Sequence, residues 1–121
     1  LLLTADPRLT ADVAKVFDFL AKTSRQRLVK PPKFRDLLVS PFNARTVFLK
    51  ELAREEAKGA EGYILLKVNH LTDPKFIKRL REAADAGVRM DFIVRTTYAM
   101  RAHKNIRAIS ILDRYLEHQR C

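Results

Sequence analysis

The stretch from Tyr63 to Val94, YILLKVNHLTDPKFIKRLREAADAGVRMDFIV, decides the fold. It opens on an apolar run, Tyr63 to Val68, that reads as a buried strand. Asp73 followed by Pro74 is a strong helix start, because the carboxylate can cap the first free amides and proline fits the first helical position. Phe76, Ile77, Leu80 and Ala84 then recur at helical spacing, Gly87 supplies a stop, and Val88 to Val94 reads as the next strand. A strand, a helix and a strand in this order predict a parallel pair with a right-handed crossover.

The pattern extends in both directions. Upstream, Leu37 to Val39 reads as a strand, and Asn43 can cap a helix built on Ala44, Val47, Phe48 and Leu52 that ends near Gly59. Together these segments form a β-α-β-α-β unit. Downstream, Ile106 to Leu112 reads as a fourth strand, and Asp113 to Glu117 as a turn or short helix. At the start, Leu1 to Thr4 reads as a short strand, and Thr10 as the cap of a helix carrying Val13, Val16, Phe17 and Leu20. Phe17, Phe48, Phe76 and Phe92 are all expected in the core. The connection from about residue 22 to 36 holds Lys22, Arg25, Arg27, Lys30, Lys33 and Arg35 with the pair Pro31-Pro32, so it should be an exposed, mobile loop. The expected architecture is α/β, a mainly parallel sheet flanked by helices.

With 121 residues and 47% apolar content, the chain suits one domain, residues 1–121. Its ends, Leu1 without an initiator Met and Cys121 just after a group of polar residues, read as those of an excised piece. No apolar run approaches the roughly 18 residues that span a bilayer. Cys121 is the single cysteine, so no internal disulfide forms, and no Cys/His set has zinc-like spacing; no metal site is expected within the chain. Only Gly59, Gly62 and Gly87 occur, which excludes a glycine-rich phosphate loop.

Twenty-four Lys and Arg against fourteen Asp and Glu give a formal charge of +10, which favours a polyanionic partner. Nucleic-acid binders usually interleave aromatics with their cations, whereas the aromatics here sit in apolar patterns; no specific nucleic acid is expected. A chain can also be basic because an acidic neighbour lies elsewhere.

In open α/β sheets ligands bind at the carboxyl ends of the strands. Those ends carry Ser40, Asn43 and Arg45, then Lys67 and Asn69, then Arg95, Thr96 and Thr97. Singly, each has an ordinary role: a solvated charge, a stem over apolar surface, a cap or turn residue. On one edge, with a helix N-terminus at Asn43, they suit phosphate. His70 and His103 read as surface residues. His118, beside Arg114, Glu117 and Arg120, can serve as acid or base near neutral pH.

Five segments carry a resemblance: LLTADPRLTADV (2–13), VFDFL (16–20), LLVSPFNAR (37–45), ILLKVNHLTDP (64–74) and NIRAISILDRYLEHQR (105–120). In this order they closely resemble the last catalytic domain of bacterial long-chain polyphosphate kinases. The resemblance implies a phospholipase-D-like fold, in which two similar α/β domains face each other and each contributes a histidine. It implies that ATP phosphorylates a histidine of the preceding domain, outside this chain, and that the phosphoryl group passes to polyphosphate. His118 matches the second histidine, an acid/base or ATP-contacting residue. Arg95 matches an arginine that contacts ATP phosphates, and Arg120 stands where such motifs usually place a lysine. Lys67, Asn69, Asn43 and Arg45 match motif positions with supporting roles.

The same resemblance implies Mg2+ accompanying ATP, with ligands outside this chain. It further implies ATP, ADP and inorganic polyphosphate as partners, and a homo-oligomeric, cytoplasmic full-length enzyme for which membrane association stays open. After Arg95 the family has a Gly and a longer loop; Thr96 to Lys104 is a few residues shorter. Two readings stand: one part of an ATP:polyphosphate phosphotransferase, inactive alone, or a non-catalytic basic module holding polyphosphate or nucleic acid. A phospholipase-D-like nuclease or lipase is disfavoured.

Overall fold

Asp73 and Pro74 start a helix as their order requires: the Asp73 carboxylate accepts from the Phe76 amide at 2.7 Å, and Pro74 occupies the first turn. The structure, a computed structural model, describes residues 3–25 and 28–111. In order, its elements are α1 (Pro7–Thr23), α2 (Ala44–Glu56), a 3-10 turn (Gly59–Glu61), β1 (Tyr63–Leu71), α3 (Pro74–Asp85), β2 (Arg89–Tyr98) and β3 (Ile106–Ile109). The chain divides into two compact units, Leu1–Phe48 and Leu49–Cys121, and α2 runs across the division.

In the second unit the strands lie in the order β1-β2-β3, all parallel. Ile64, Leu66 and Val68 alternate along β1, and Met90, Phe92 and Val94 along β2, so one face of the sheet is apolar. That face packs with Leu80, Ala83 and Ala84 of α3, with Leu52 of α2, and with Val88 and Met100. Phe92 is 1% exposed, as a central core residue should be. Gly87 ends α3 at φ +108°, a left-handed conformation that a side chain would resist.

The return from β2 to β3 uses no helix. Residues 99–105 run back along the sheet, bury Met100, and turn at His103, whose carbonyl accepts from the Ile106 amide. Ile106 pairs with Met90, eight residues before the end of β2 at Tyr98, and Tyr98 and Ile106 are themselves eight residues apart. Extended backbone reaches roughly 3.4 Å per residue, so this connection has almost no slack. His103 and Asn105 fix its far end: the His103 Nε2 lies 3.1 Å from Asp85 Oδ1, its Nδ1 accepts from the Asn105 amide, and the Asn105 side chain donates to the Ala84 carbonyl.

The first unit departs from expectation in several places. Asp6, not Thr10, caps α1, its carboxylate accepting from the Arg8 amide; Pro7 then takes the first helical position, and Thr10 lies inside the helix. Leu3 and Thr4 are not in a strand, and Leu1 and Leu2 lie outside the described residues. Phe17 is 67% and Phe48 50% exposed, against the expectation of core; Val13 and Leu20 are exposed as well. The helix is held instead through Asp12, 1% exposed, and through Phe19, which packs edge-on against Phe42.

The expected strand at Leu37 to Val39 does not form. Asp12 Oδ2 accepts from the amides of Arg35, Asp36 and Leu37 at 2.8 to 3.1 Å, and Asn43 Oδ1 accepts from the Val39 amide while its Nδ2 donates to the Leu37 carbonyl. Side chains thus take the backbone groups that a ladder would have used. The Asp12 carboxyl is held well below the usual carboxylate range, first by Lys15 at 2.6 Å and then by these amides.

Candidate functional site

Strands β1 and β2 both run farther than their sequence suggests, so Asn69 and Arg95 lie inside strands, as Lys67 does, rather than just past them. Up to Val68 and Val94 the register is regular, with Lys67 opposite Ile93. It resumes with His70 opposite Thr97 and Leu71 opposite Tyr98. Two residues of β2, Arg95 and Thr96, therefore face one of β1, Asn69. This is a bulge at the carboxyl edge of a parallel sheet, where ligands of such sheets bind.

The bulge gathers polar groups. Thr96 Oγ1 lies 3.4 Å from Asn69 Oδ1, and His70 Nδ1 lies 3.1 Å from Thr97 Oγ1. Just past β3, the Ser110 hydroxyl donates to the Arg95 carbonyl at 3.2 Å. Arg95 and Lys67 are both half-buried, and both have partners among their surroundings. The sequence set Thr96 and Thr97 at this strand end without giving them a role, read His70 as a surface residue and placed Ser110 inside a strand. Only the register shows them side by side.

The edge offers two cations, hydroxyls, a carboxamide and an imidazole, and no carboxylate among Lys67, Asn69, His70, Arg95, Thr96, Thr97 and Ser110. That donor set suits anionic oxygen. It does not suit a divalent cation, which takes hard oxygen ligands, commonly carboxylates. Among the described residues no group of three or more His, Cys, Asp or Glu is placed to hold a metal ion.

Asn43 and Arg45 do not share this sheet edge as strand neighbours. They belong with the first unit, and the strand that was to bring them to the edge is absent. Asn43 is committed to the 37–39 turn. His118 and Arg120 lie outside the described residues, as do Asp113 to Glu117 and Leu112; the expected fourth strand is shorter than its apolar run suggests, ending at Ile109 with Ser110 and Ile111 beyond it.

Residues 37–121 match the family model of the polyphosphate kinase C-terminal domain 2. The chain belongs to this family. It is 40% identical to a polyphosphate kinase of Salmonella typhimurium and 40% identical to one of Escherichia coli K12, in each case over 127 residues, 98% of this chain and 18% of the relative. It therefore spans about a fifth of the length of these relatives. The crystal structure of a polyphosphate kinase from Porphyromonas gingivalis superposes with a TM-score of 0.81 at 33% identity, covering 97% of this chain and 20% of that one. The α/β class with a mainly parallel sheet is as the sequence predicts. The match over 127 residues exceeds this chain's 121, so the Salmonella typhimurium and Escherichia coli relatives carry additional residues within the matched region. Among the described residues no helix is long and apolar enough to cross a membrane.

Proposed function

We propose that the chain forms one side of the catalytic centre of an ATP:polyphosphate phosphotransferase, and that the carboxyl edge of its sheet receives the phosphates of ATP. The observation that carries this reading is the bulge, which sets Arg95 among hydroxyl and amide groups on the edge where parallel sheets bind ligands. Family membership supports it.

Phosphoryl transfer asks a protein mainly for positioning and charge neutralisation. Arg95 holds phosphate oxygens of the nucleotide, and Lys67 adds to the positive field around them. Asn69 orients Thr96 beside them. His118 manages a proton as the terminal phosphoryl group leaves ADP for a histidine outside this chain, and Arg120 neutralises charge next to it. The phosphoryl group then passes to the end of a polyphosphate chain. Mg2+ bound with ATP would neutralise phosphate charge, held by ligands outside these edge residues, which hold the nucleotide itself. The chain alone makes no polymer, and it works in the cytoplasm against a preceding domain of a homo-oligomeric enzyme.

The test grafts residues 1–121 in place of the matching region of the Escherichia coli enzyme and follows polymer formation from ATP. His118→Ala should reduce synthesis at least ten-fold; synthesis at the rate of the unsubstituted graft would remove His118 from the mechanism. The +10 charge favours a second reading, a basic module without chemistry. In that case single-stranded nucleic acid and polyphosphate of equal charge would displace each other equally from the chain, both falling steeply with salt, and ATP would not bind.

A further inference from the structure

The irregular stretch at the carboxyl edge keeps five neighbouring strand positions, two on β1 and three on β2, out of the core. Val68 and Val94 are register partners on the apolar face, and Leu71 and Tyr98 are the next such pair. Between them lie Asn69 and His70 on β1, and Arg95, Thr96 and Thr97 on β2. None of the five is buried. A regular strand would have turned one residue in every two back to the core, but the bulge leaves all five at the edge.

Within this set His70 is placed differently from an ordinary surface histidine. Its Nδ1 is occupied by the Thr97 hydroxyl at 3.1 Å. A hydroxyl can donate or accept. When Thr97 donates to Nδ1, the imidazole proton resides on Nε2, and the ring is fixed by its strand partner with that N–H as its remaining donor. The neighbouring pair repeats the arrangement, with Thr96 against Asn69.

We propose that His70 contacts the bound anion, its Nε2–H donating to a phosphoryl oxygen of a phosphoanhydride chain, and that Thr97 is the positioning residue that aims it. This rests on the reading of the edge as a phosphate site. The phosphoanhydride can belong to the nucleotide or to the growing polymer. Asn69 and Thr96 shape the adjoining wall, and Arg95 supplies charge on the far side of the bulge.

The experiment observes the imidazole nitrogens of His70 and the guanidinium of Arg95 by 1H–15N spectroscopy of this chain during titration with tripolyphosphate and, separately, with ATP. The expected result is a saturable shift of the His70 Nε2 resonance together with Arg95; the ligand that produces it identifies the source of the phosphoanhydride. His70→Ala should weaken binding about ten-fold. Thr97→Val should weaken it several-fold and abolish the Nε2 shift, and Thr97→Ser should restore both, with the amide signals of Leu80 and Phe92 unchanged throughout. A shift of Arg95 with His70 unmoved overturns the role of His70 and leaves the phosphate edge standing. A Thr97→Val chain in which His70 still shifts overturns the positioning role. If neither Arg95 nor His70 responds to either ligand, the phosphate edge itself fails.

Discussion

The Ser110 hydroxyl donates to the Arg95 backbone carbonyl at 3.2 Å, so the exit of β3 is tied to the bulge that carries Arg95. His118 follows Ser110 by eight residues in the sequence. A neutral hydrogen bond on an exposed hydroxyl contributes about 0.5–1.5 kcal/mol. Ser110→Ala should therefore lower stability by no more than about 1.5 kcal/mol, while raising the KM for ATP in the grafted enzyme more than it changes kcat. Equal melting together with an unchanged KM would show that the bond has no bearing on the site.

Asp12 organises the first unit through its charge. Its folded-state pKa lies below the ordinary value of 3.8, so the stability it contributes is full above that value and is lost as pH falls through the depressed one. Asp12→Asn keeps the shape but removes the charge that Lys15 and three amides engage. The variant should melt well below the parent at pH 7, by more than an exposed change such as Asp18→Ala. The gap should narrow as pH is lowered below about 3.8, where the parent loses its own advantage. Thermal melts followed by circular dichroism at both pH values check this; a gap independent of pH would contradict it.

Gly62 admits no side chain. A Cβ there would lie 2.4 Å from the Glu55 carbonyl oxygen and 3.1 Å from Val88 Cγ2, and Val88 is fully buried. Gly62→Ala must push either the end of α2 or the core aside, at a cost of about 2–3 kcal/mol, measurable by urea unfolding.

The taut return from Tyr98 to Ile106 gives a further expectation. Deleting Ala102 removes about 3.4 Å from a connection with almost no slack. Pairing of β3 with β2 should be lost while α3 and the β1–β2 pair persist, seen as fast amide exchange at Met90, whose N–H now donates to the Asn105 carbonyl, with slow exchange retained at Phe92 partners on β1. An insertion at the same place should be tolerated.

Much of the second unit was legible in the sequence because its signals are local: Asp73-Pro74 starts α3, Gly87 stops it, and the flanking apolar runs have no other use than strands. The first unit misled because its decisive residue is a charge. Asp12 reads as a solvated position on an amphipathic helix, yet it gathers the amides of Arg35 to Leu37, more than twenty residues away, and so replaces the strand that Leu37 to Val39 suggest. The apolar stripe with Phe17, expected to face inward, is left exposed. At the site, Arg95, Lys67 and Asn69 were visible as polar residues after apolar runs. The bulge was not, since a one-residue register shift leaves no mark in composition, and it is what brings His70 and Thr97 together.

The central claim is that a specific phosphate site, and not bulk charge, sits at the carboxyl edge of the sheet. It is tested most directly by polymer synthesis from ATP in the grafted enzyme with Arg95→Ala compared with Arg81→Ala, an exposed cation on α3. Losing a charge-assisted contact of about 1.5–3 kcal/mol predicts that Arg95→Ala falls roughly ten- to a hundred-fold while Arg81→Ala keeps the parental rate. Equal rates for the two variants would contradict the account.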